Sequence, residues 1–127
     1  MKSRVDTNWY SDGKKKSEYN YKVGFSIPFT PYFKITFYVK QEGLETHWYE
    51  SGQKQEETIY KDGEANGLIT MWYENGQKEV ESNWKDGKAD GLETIWYENG
   101  QKREETIYKN GKEISEKEWN EDGSLKN

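Results

Sequence analysis

Gly67-Leu68-Ile69-Thr70-Met71-Trp72-Tyr73-Glu74-Asn75-Gly76-Gln77-Lys78 is the stretch from which the fold can be read. Leu68, Thr70 and Trp72 alternate with Ile69, Met71 and Tyr73, the period of two that belongs to a strand with two distinct faces. Glu74-Asn75-Gly76 then supplies a hairpin turn, because glycine takes positive φ without steric cost. The run after it returns antiparallel and ends at Trp84-Lys85-Asp86-Gly87, where a second turn reverses the chain again. One unit therefore encodes two strands.

The same unit stands on either side. Gly43 to Lys54 and Gly91 to Lys102 repeat it almost verbatim, and Tyr60 to Gly63 and Tyr108 to Gly111 repeat its closing turn. Residues 43–66, 67–90 and 91–114 align without gaps at a period of 24. Partial copies flank them at 4–24, with Trp9-Tyr10-Ser11-Asp12-Gly13, and at 115–127, with Trp119-Asn120-Glu121-Asp122-Gly123. The chain reads as a single all-β repeat domain over residues 1–127: an elongated antiparallel meander of hairpins, roughly nine strands in one sheet. If the turn is of the three-residue Glu-Asn-Gly kind, Trp48 faces Lys54 and Tyr49 faces Gln53. One face then carries Leu44, Thr46, Trp48, Thr58 and Tyr60, continued by Leu68, Thr70, Trp72, Val80 and Trp84. The other carries His47, Tyr49, Ile59, Met71 and Tyr73, and a two-residue turn would swap the faces of the return strand.

Composition decides what such a sheet can be. Leu, Ile, Val and Phe make up about 15% of the 127 residues, below the ~20% under which disorder is suspected. Yet 16% of the chain is aromatic, so burial has to come from Trp and Tyr instead of a thick aliphatic core. Cysteine is absent and His47 is the sole histidine, which removes thiolate metal sites, disulfides and most triad chemistry. The net charge of −5, with both signs interspersed along the sequence, offers no basic field for a nucleic acid. No apolar run reaches the ~20 residues of a membrane span, and the sequence as written reads as cytoplasmic, a reading that a secreted protein without its leader would share.

The unit Gly-Leu-x-Thr-x-Trp-Tyr-Glu-Asn-Gly-Gln-Lys with its trailing Tyr-Lys-Asp-Gly resembles the MORN-repeat variant family of bacteria, over residues 4 to 24 and 43 to 126. The resemblance implies a repeat scaffold. Some members of that family serve as antitoxins of toxin-antitoxin systems, related repeats stand beside polymorphic toxins as immunity proteins, and eukaryotic MORN repeats are linked to membrane lipids and protein assembly. The pattern is broken here by the segment 25–42, where the regular repeats have three residues between glycines.

That segment holds all four Phe and both Pro. Pro28 and Pro31 interrupt any helix, and Phe33 to Lys40 alternates as a strand, so Phe25 to Pro31 reads as a connector and Tyr32 to Lys40 as an added strand. An added strand upsets the parity of a meander, unless the segment runs straight into Leu44 as one long strand bent at Gly43 or the first repeat docks differently. Phe33, Ile35, Phe37 and Val39 form one apolar stripe, either a cap over the end of the stack or a strand that binds a partner or a second copy through Tyr32 to Lys40.

No catalytic residue, metal or cofactor is expected. A 24-residue rhythm of Glu beside Lys is a solvated, cross-strand-paired surface, and turn chemistry explains the acids of Asp62 to Gly67 and Asp86 to Gly91 as well as calcium would. The Trp-Tyr pairs admit two readings: stacking between repeats, or rows of exposed rings, Tyr49, Tyr73 and Tyr97 among them, that meet a partner. Two functions follow: a non-enzymatic scaffold that binds a protein partner, as an antitoxin or immunity protein acting on a toxin, or a module that recognises a lipid headgroup, choline or a glycan.

Overall fold

The computed structural model describes residues 2–26 and 36–127. Their strands are β1 Lys2–Trp9, β2 Lys15–Ser26, β3 Thr36–Gln41, β4 Gly43–Trp48, β5 Lys54–Lys61, β6 Glu64–Trp72, β7 Lys78–Lys85, β8 Lys88–Trp96, β9 Lys102–Lys109 and β10 Lys112–Glu118. All belong to one open antiparallel sheet, in which β1, β2 and β4 to β10 follow chain order and β3 pairs with β2 off that path. The meander is thus present, nine strands in sequence with one added.

Two turns alternate. At Tyr49–Gln53 the Tyr49 amide donates to the Gln53 carbonyl (2.8 Å), the Gly52 amide donates to the Tyr49 carbonyl (2.9 Å), and Gly52 sits at φ +93°. The same pair of bonds recurs from Tyr10, Tyr73, Tyr97 and Asn120, so Glu-Asn-Gly is a three-residue hairpin loop closed by a left-handed glycine. Asn75 and Asn99 reinforce it by accepting the amides of Gln77 and Gln101 (2.9 Å each). At the opposite ends of the strands, Asp62-Gly63, Asp86-Gly87 and Asn110-Gly111 each place two successive residues at positive φ, the type I′ geometry whose twist suits paired strands. Asp and Asn tolerate that region because their short polar side chains bond locally.

The expected pairing of Trp48 with Lys54 is found, but the faces of the return strands differ from the sequence reading. His47 pairs with Glu56 while Trp48 pairs with Lys54, leaving Gln55 as an extra residue; Glu79 and Arg103 are the equivalent extras in the next two hairpins. Each bulge flips the alternation of the strand that follows. Thr58, Tyr60, Val80 and Trp84 therefore share a face with His47 and Met71, and Ile59 lies with Leu44, Thr46 and Trp48.

The parity problem resolves through one long strand. β3 and β4 both run antiparallel to β2, with Tyr21 opposite Gln41 and Glu18 opposite Thr46. Glu42 and Gly43 form the break between them, with Gly43 at φ +95°. β2 continues to Ser26, so Phe25 and Ser26 are strand residues paired with Phe37 and Thr36, not the start of a connector. Pro28, Pro31 and Tyr32 to Ile35 lie outside the described residues.

A single layer leaves no interior. Among the described residues no apolar side chain is buried; the buried ones are Ser17, Thr46, Thr58, Thr70, Ser82, Thr94 and Thr106. These occupy mid-strand positions, where larger neighbours on the same face close over a short side chain. Four of these hydroxyls have side-chain partners: Thr58 and Thr106 donate to Glu56 (2.8 Å) and Glu104 (3.0 Å), Ser82 accepts the Trp84 indole (3.0 Å), and Ser17 accepts the Asn8 amide (3.0 Å).

Candidate functional site: two faces and a projecting hairpin

The face that carries Trp48, Trp72 and Trp96, called the front face below, is laced by a ladder running from repeat to repeat. The ammonium groups of Lys15, Lys54, Lys78 and Lys102 lie over the rings of Trp48, Trp72, Trp96 and Trp119, 5.6 to 5.8 Å from the centroids. Each of these lysines also pairs with the glutamate three positions on, Glu18, Glu57, Glu81 or Glu105. The bulge makes this possible, since it puts residues three apart on one face of the strand. Trp9, which begins the series, has no lysine over it among the described residues and is 57% exposed. An aromatic cage for a quaternary ammonium needs free ring faces. The open cleft of about 430 Å³ between Trp48 and Trp72 already holds the Lys54 ammonium against the Trp72 ring.

A second ladder links the same ends of the repeats. Tyr10, Tyr49, Tyr73 and Tyr97 donate their hydroxyls to the carbonyls of Trp48, Trp72, Trp96 and Trp119, at 2.8 to 2.9 Å. The candidate contact residues Tyr49, Tyr73 and Tyr97 are thus half-buried struts between neighbouring hairpins. Burial pushes the phenols of Tyr49 and Tyr73 above the ordinary tyrosine range, with the nearby Glu79 carboxylate adding to the effect.

Next to the tryptophans and central threonines, the front face exposes an aliphatic row: Leu44, Ile59, Leu68, Leu92 and Ile107 are each 39 to 48% exposed. Asn83 stands in the row between Leu68 and Leu92 and donates to the Leu92 carbonyl (2.8 Å). Beyond it, at the Asp-Gly ends of the strands, the same face carries Lys22, Lys40, Lys61, Lys85, Lys88, Lys109 and Lys112, with Glu64 as the acid directly opposite one of them.

The back face has the opposite sign. Glu45, Glu56, Glu93, Glu104, Glu116 and Glu118 project there with His47, Met71, Val80 and Ile95. Desolvation, then the neighbouring Glu104, Glu113 and Glu118 carboxylates, raises the Glu116 carboxyl above its usual value. His47 meets Glu45 at 2.6 Å and the Tyr19 ring edge-on at 5.5 Å, and Gln41 donates to the other Glu45 oxygen. Among the described residues no group of three acids or histidines is placed to hold a metal ion. Interspersed in sequence, the charges are unequally shared in space: the front face keeps Glu18, Glu57, Glu81 and Glu105 beside its lysines but carries lysine in excess, and the back face carries glutamate in excess. The signal was there in the 24-residue rhythm of Lys and Glu, and the unread bulge concealed it.

β2 and β3 together project past the regular strand ends, because Lys22 opposite Lys40 corresponds to Lys61 opposite Glu64 and the pairing continues to Ser26 and Thr36. Val23 faces Val39 and Phe25 faces Phe37 on this hairpin. Phe25 is 62% and Val39 65% exposed. Opposite Gly24, the Tyr38 ring lies so close that a β-carbon on the glycine would be 2.5 Å from the hydroxyl, an aromatic side chain covering a bare stretch of backbone. Of the candidate contact stripe, Val39 is thus exposed and Phe37 is placed by its backbone pairing, while Phe33 and Ile35 lie outside the described residues.

A family model described as MORN repeat variant matches residues 41–62, 65–86 and 89–110, the three regular repeats. No curated protein and no solved structure matches the chain.

Proposed function

The chain belongs to the MORN repeat variant family, and from that membership we propose that it is a non-enzymatic scaffold that binds a protein partner, acting as an antitoxin or immunity protein that covers the working surface of a toxin. The observation that carries the reading is the projecting hairpin. β3 pairs with β2 alone, so the outer edge of Thr36 to Lys40 keeps its backbone donors and acceptors free of any strand among the described residues, beside the exposed Phe25 and Val39. An edge of that kind takes an added strand, with backbone bonds giving affinity and flanking side chains giving specificity.

The test is co-expression with the product of the gene adjacent to this one in its host. The expected result is that the neighbour alone arrests growth, that this chain restores it, and that the two elute together on gel filtration. Val39→Asp with Phe25→Asp should abolish rescue and co-elution while leaving the circular dichroism spectrum unchanged. Rescue that survives both substitutions would move the contact away from the hairpin, and a harmless neighbour that does not bind would remove the antitoxin reading.

A further inference from the structure

Paired strands are destabilised by like charges placed directly opposite one another. The front face breaks this rule repeatedly on the side away from the Glu-Asn-Gly loops: Lys22 faces Lys40, Lys85 faces Lys88 and Lys109 faces Lys112. The geometry does not demand it, since the equivalent position in the first regular repeat pairs Lys61 with Glu64. Asp90 and Glu42 approach Lys109 (3.2 Å) and Lys22 (3.9 Å), whereas Lys85, Lys88 and Lys112 enter no ion pair among the described residues. A local rule broken at a series of corresponding positions, where two of the pairs have an acid beside one lysine and the Lys85–Lys88 pair has none among the described residues, marks a surface shaped by something outside the chain.

We propose that the front face is a docking surface for an acidic protein segment, which sets its apolar side chains along the row Leu44, Ile59, Leu68, Leu92 and Ile107 and its carboxylates against the lysines beside it. From β4 to β9 that row crosses five strand spacings, about 24 Å. Its residues are the exposed aliphatics of β4 to β9, while Met71, Val80 and Ile95 on the back face are half-covered already. A second copy is the poorer occupant. Its back face offers carboxylates but little apolar area, and front-on-back stacking has no symmetry that closes it. A flat anionic membrane is poorer as well, because it would press equally on Asp62, Glu64 and Asp86, which lie among the lysines; a polypeptide can place its carboxylates between them. This surface is separate from the β3 edge, and the proposal stands whether or not a toxin binds there.

Lys88→Glu gives the decisive test, because it recreates the Lys61–Glu64 pairing at Lys85. The probes are a labelled peptide of about ten alternating Leu and Glu residues, long enough to span the row, its Leu-Gln analogue, and vesicles containing phosphatidylserine. The expected result is that the Leu-Glu peptide binds the full chain in fluorescence anisotropy, that the Leu-Gln peptide binds at least tenfold more weakly, and that Lys88→Glu weakens the Leu-Glu peptide about tenfold while raising the melting temperature. Leu68→Ser should weaken the same peptide without altering its salt dependence. Equal binding of both peptides, or unchanged binding by Lys88→Glu, overturns the proposal. Recruitment to vesicles without peptide binding replaces it with a membrane surface, and concentration-dependent self-association abolished by Lys88→Glu replaces it with a second copy. None of these readouts involves Phe25 or Val39, so failure here and failure of the hairpin reading are separable.

Discussion

Trp72→Ala and Trp9→Ala test whether stability comes from stacking between repeats. Both residues occupy the same place in the unit, but Trp72 is half-buried with Lys54 over its ring, and Trp9 is 57% exposed at the end of the sheet. A tryptophan offers roughly 200 Å² to bury, so Trp9 buries somewhat under 100 Å² and Trp72 about 150 Å². At about 25 cal/mol/Å² these areas are worth ~2 and ~4 kcal/mol. The lysine adds about 0.5 to 1 kcal/mol at Trp72 alone. The expected gap between the two variants is therefore about 2 to 3 kcal/mol, or roughly 10 °C in melting temperature for a domain of this size. Thermal unfolding followed by far-ultraviolet circular dichroism avoids the lost fluorophore. Equal losses would refute the reasoning, because they would mean that a neighbour on each side contributes nothing a single neighbour does not.

Three further outcomes follow from the same geometry. Tyr73→Phe removes one rung of the hydroxyl ladder and leaves the Trp96 carbonyl without that donor, which should cost about 1 kcal/mol in urea denaturation; no change would mean that water replaces the bond freely. Gly67→Ala should cost more than ~1 kcal/mol, since φ is +134° and the new carbon would stand 3.3 Å from Ile59, whereas Gly13→Ala meets no neighbouring atom and should cost less. The phenols of Tyr21, Tyr49, Tyr60, Tyr73 and Tyr108 have folded-state values raised first by desolvation, so their contribution is complete below the unfolded value of 10.0 and is lost as pH rises through the raised values. Melting temperatures should therefore hold to about pH 9 and fall beyond it, and absorbance titration of the tyrosines should show late ionisation; a sheet equally stable at pH 11 would contradict the burial of these rings.

The strands and turns were legible because their chemistry is local: alternation marks a strand, and Glu-Asn-Gly and Asp-Gly mark loops that only a few residues can form. The pairing of Trp48 with Lys54 followed from turn length alone. The bulge one residue later was not legible, because its position accepts Gln55, Glu79 or Arg103 and carries no conformational signature. That single omission moved Thr58, Tyr60 and Ile59 to the wrong faces and hid the excess of lysine on one face and of glutamate on the other. The bend of one long strand at Gly43, one of two ways to restore the parity of the meander, is found, with Gly43 at φ +95°. Of the candidate contacts, the aromatic pattern could not show that Tyr49, Tyr73 and Tyr97 spend their hydroxyls on backbone carbonyls, since the partners are 22 to 23 residues away.

The long strand pair that replaces the first Asp-Gly turn also governs the order in which the sheet can assemble. From β4 to β10 every pairing joins consecutive strands, so each forms by closing a short loop, which is the quick kind of contact. The junction of Ser17 and Glu18 with His47 and Thr46 is the exception, because it must wait until the chain has gone out along β2 and back along β3. During synthesis β1 and β2 emerge first, and a lone two-stranded ribbon is only marginally stable. The seven C-terminal strands of the path can then zip together and present Thr46 and His47 as a finished edge. The N-terminal hairpin is thus the first part made and the last part secured, and its exposed Phe25 is the place where nascent chains are most open to mispairing.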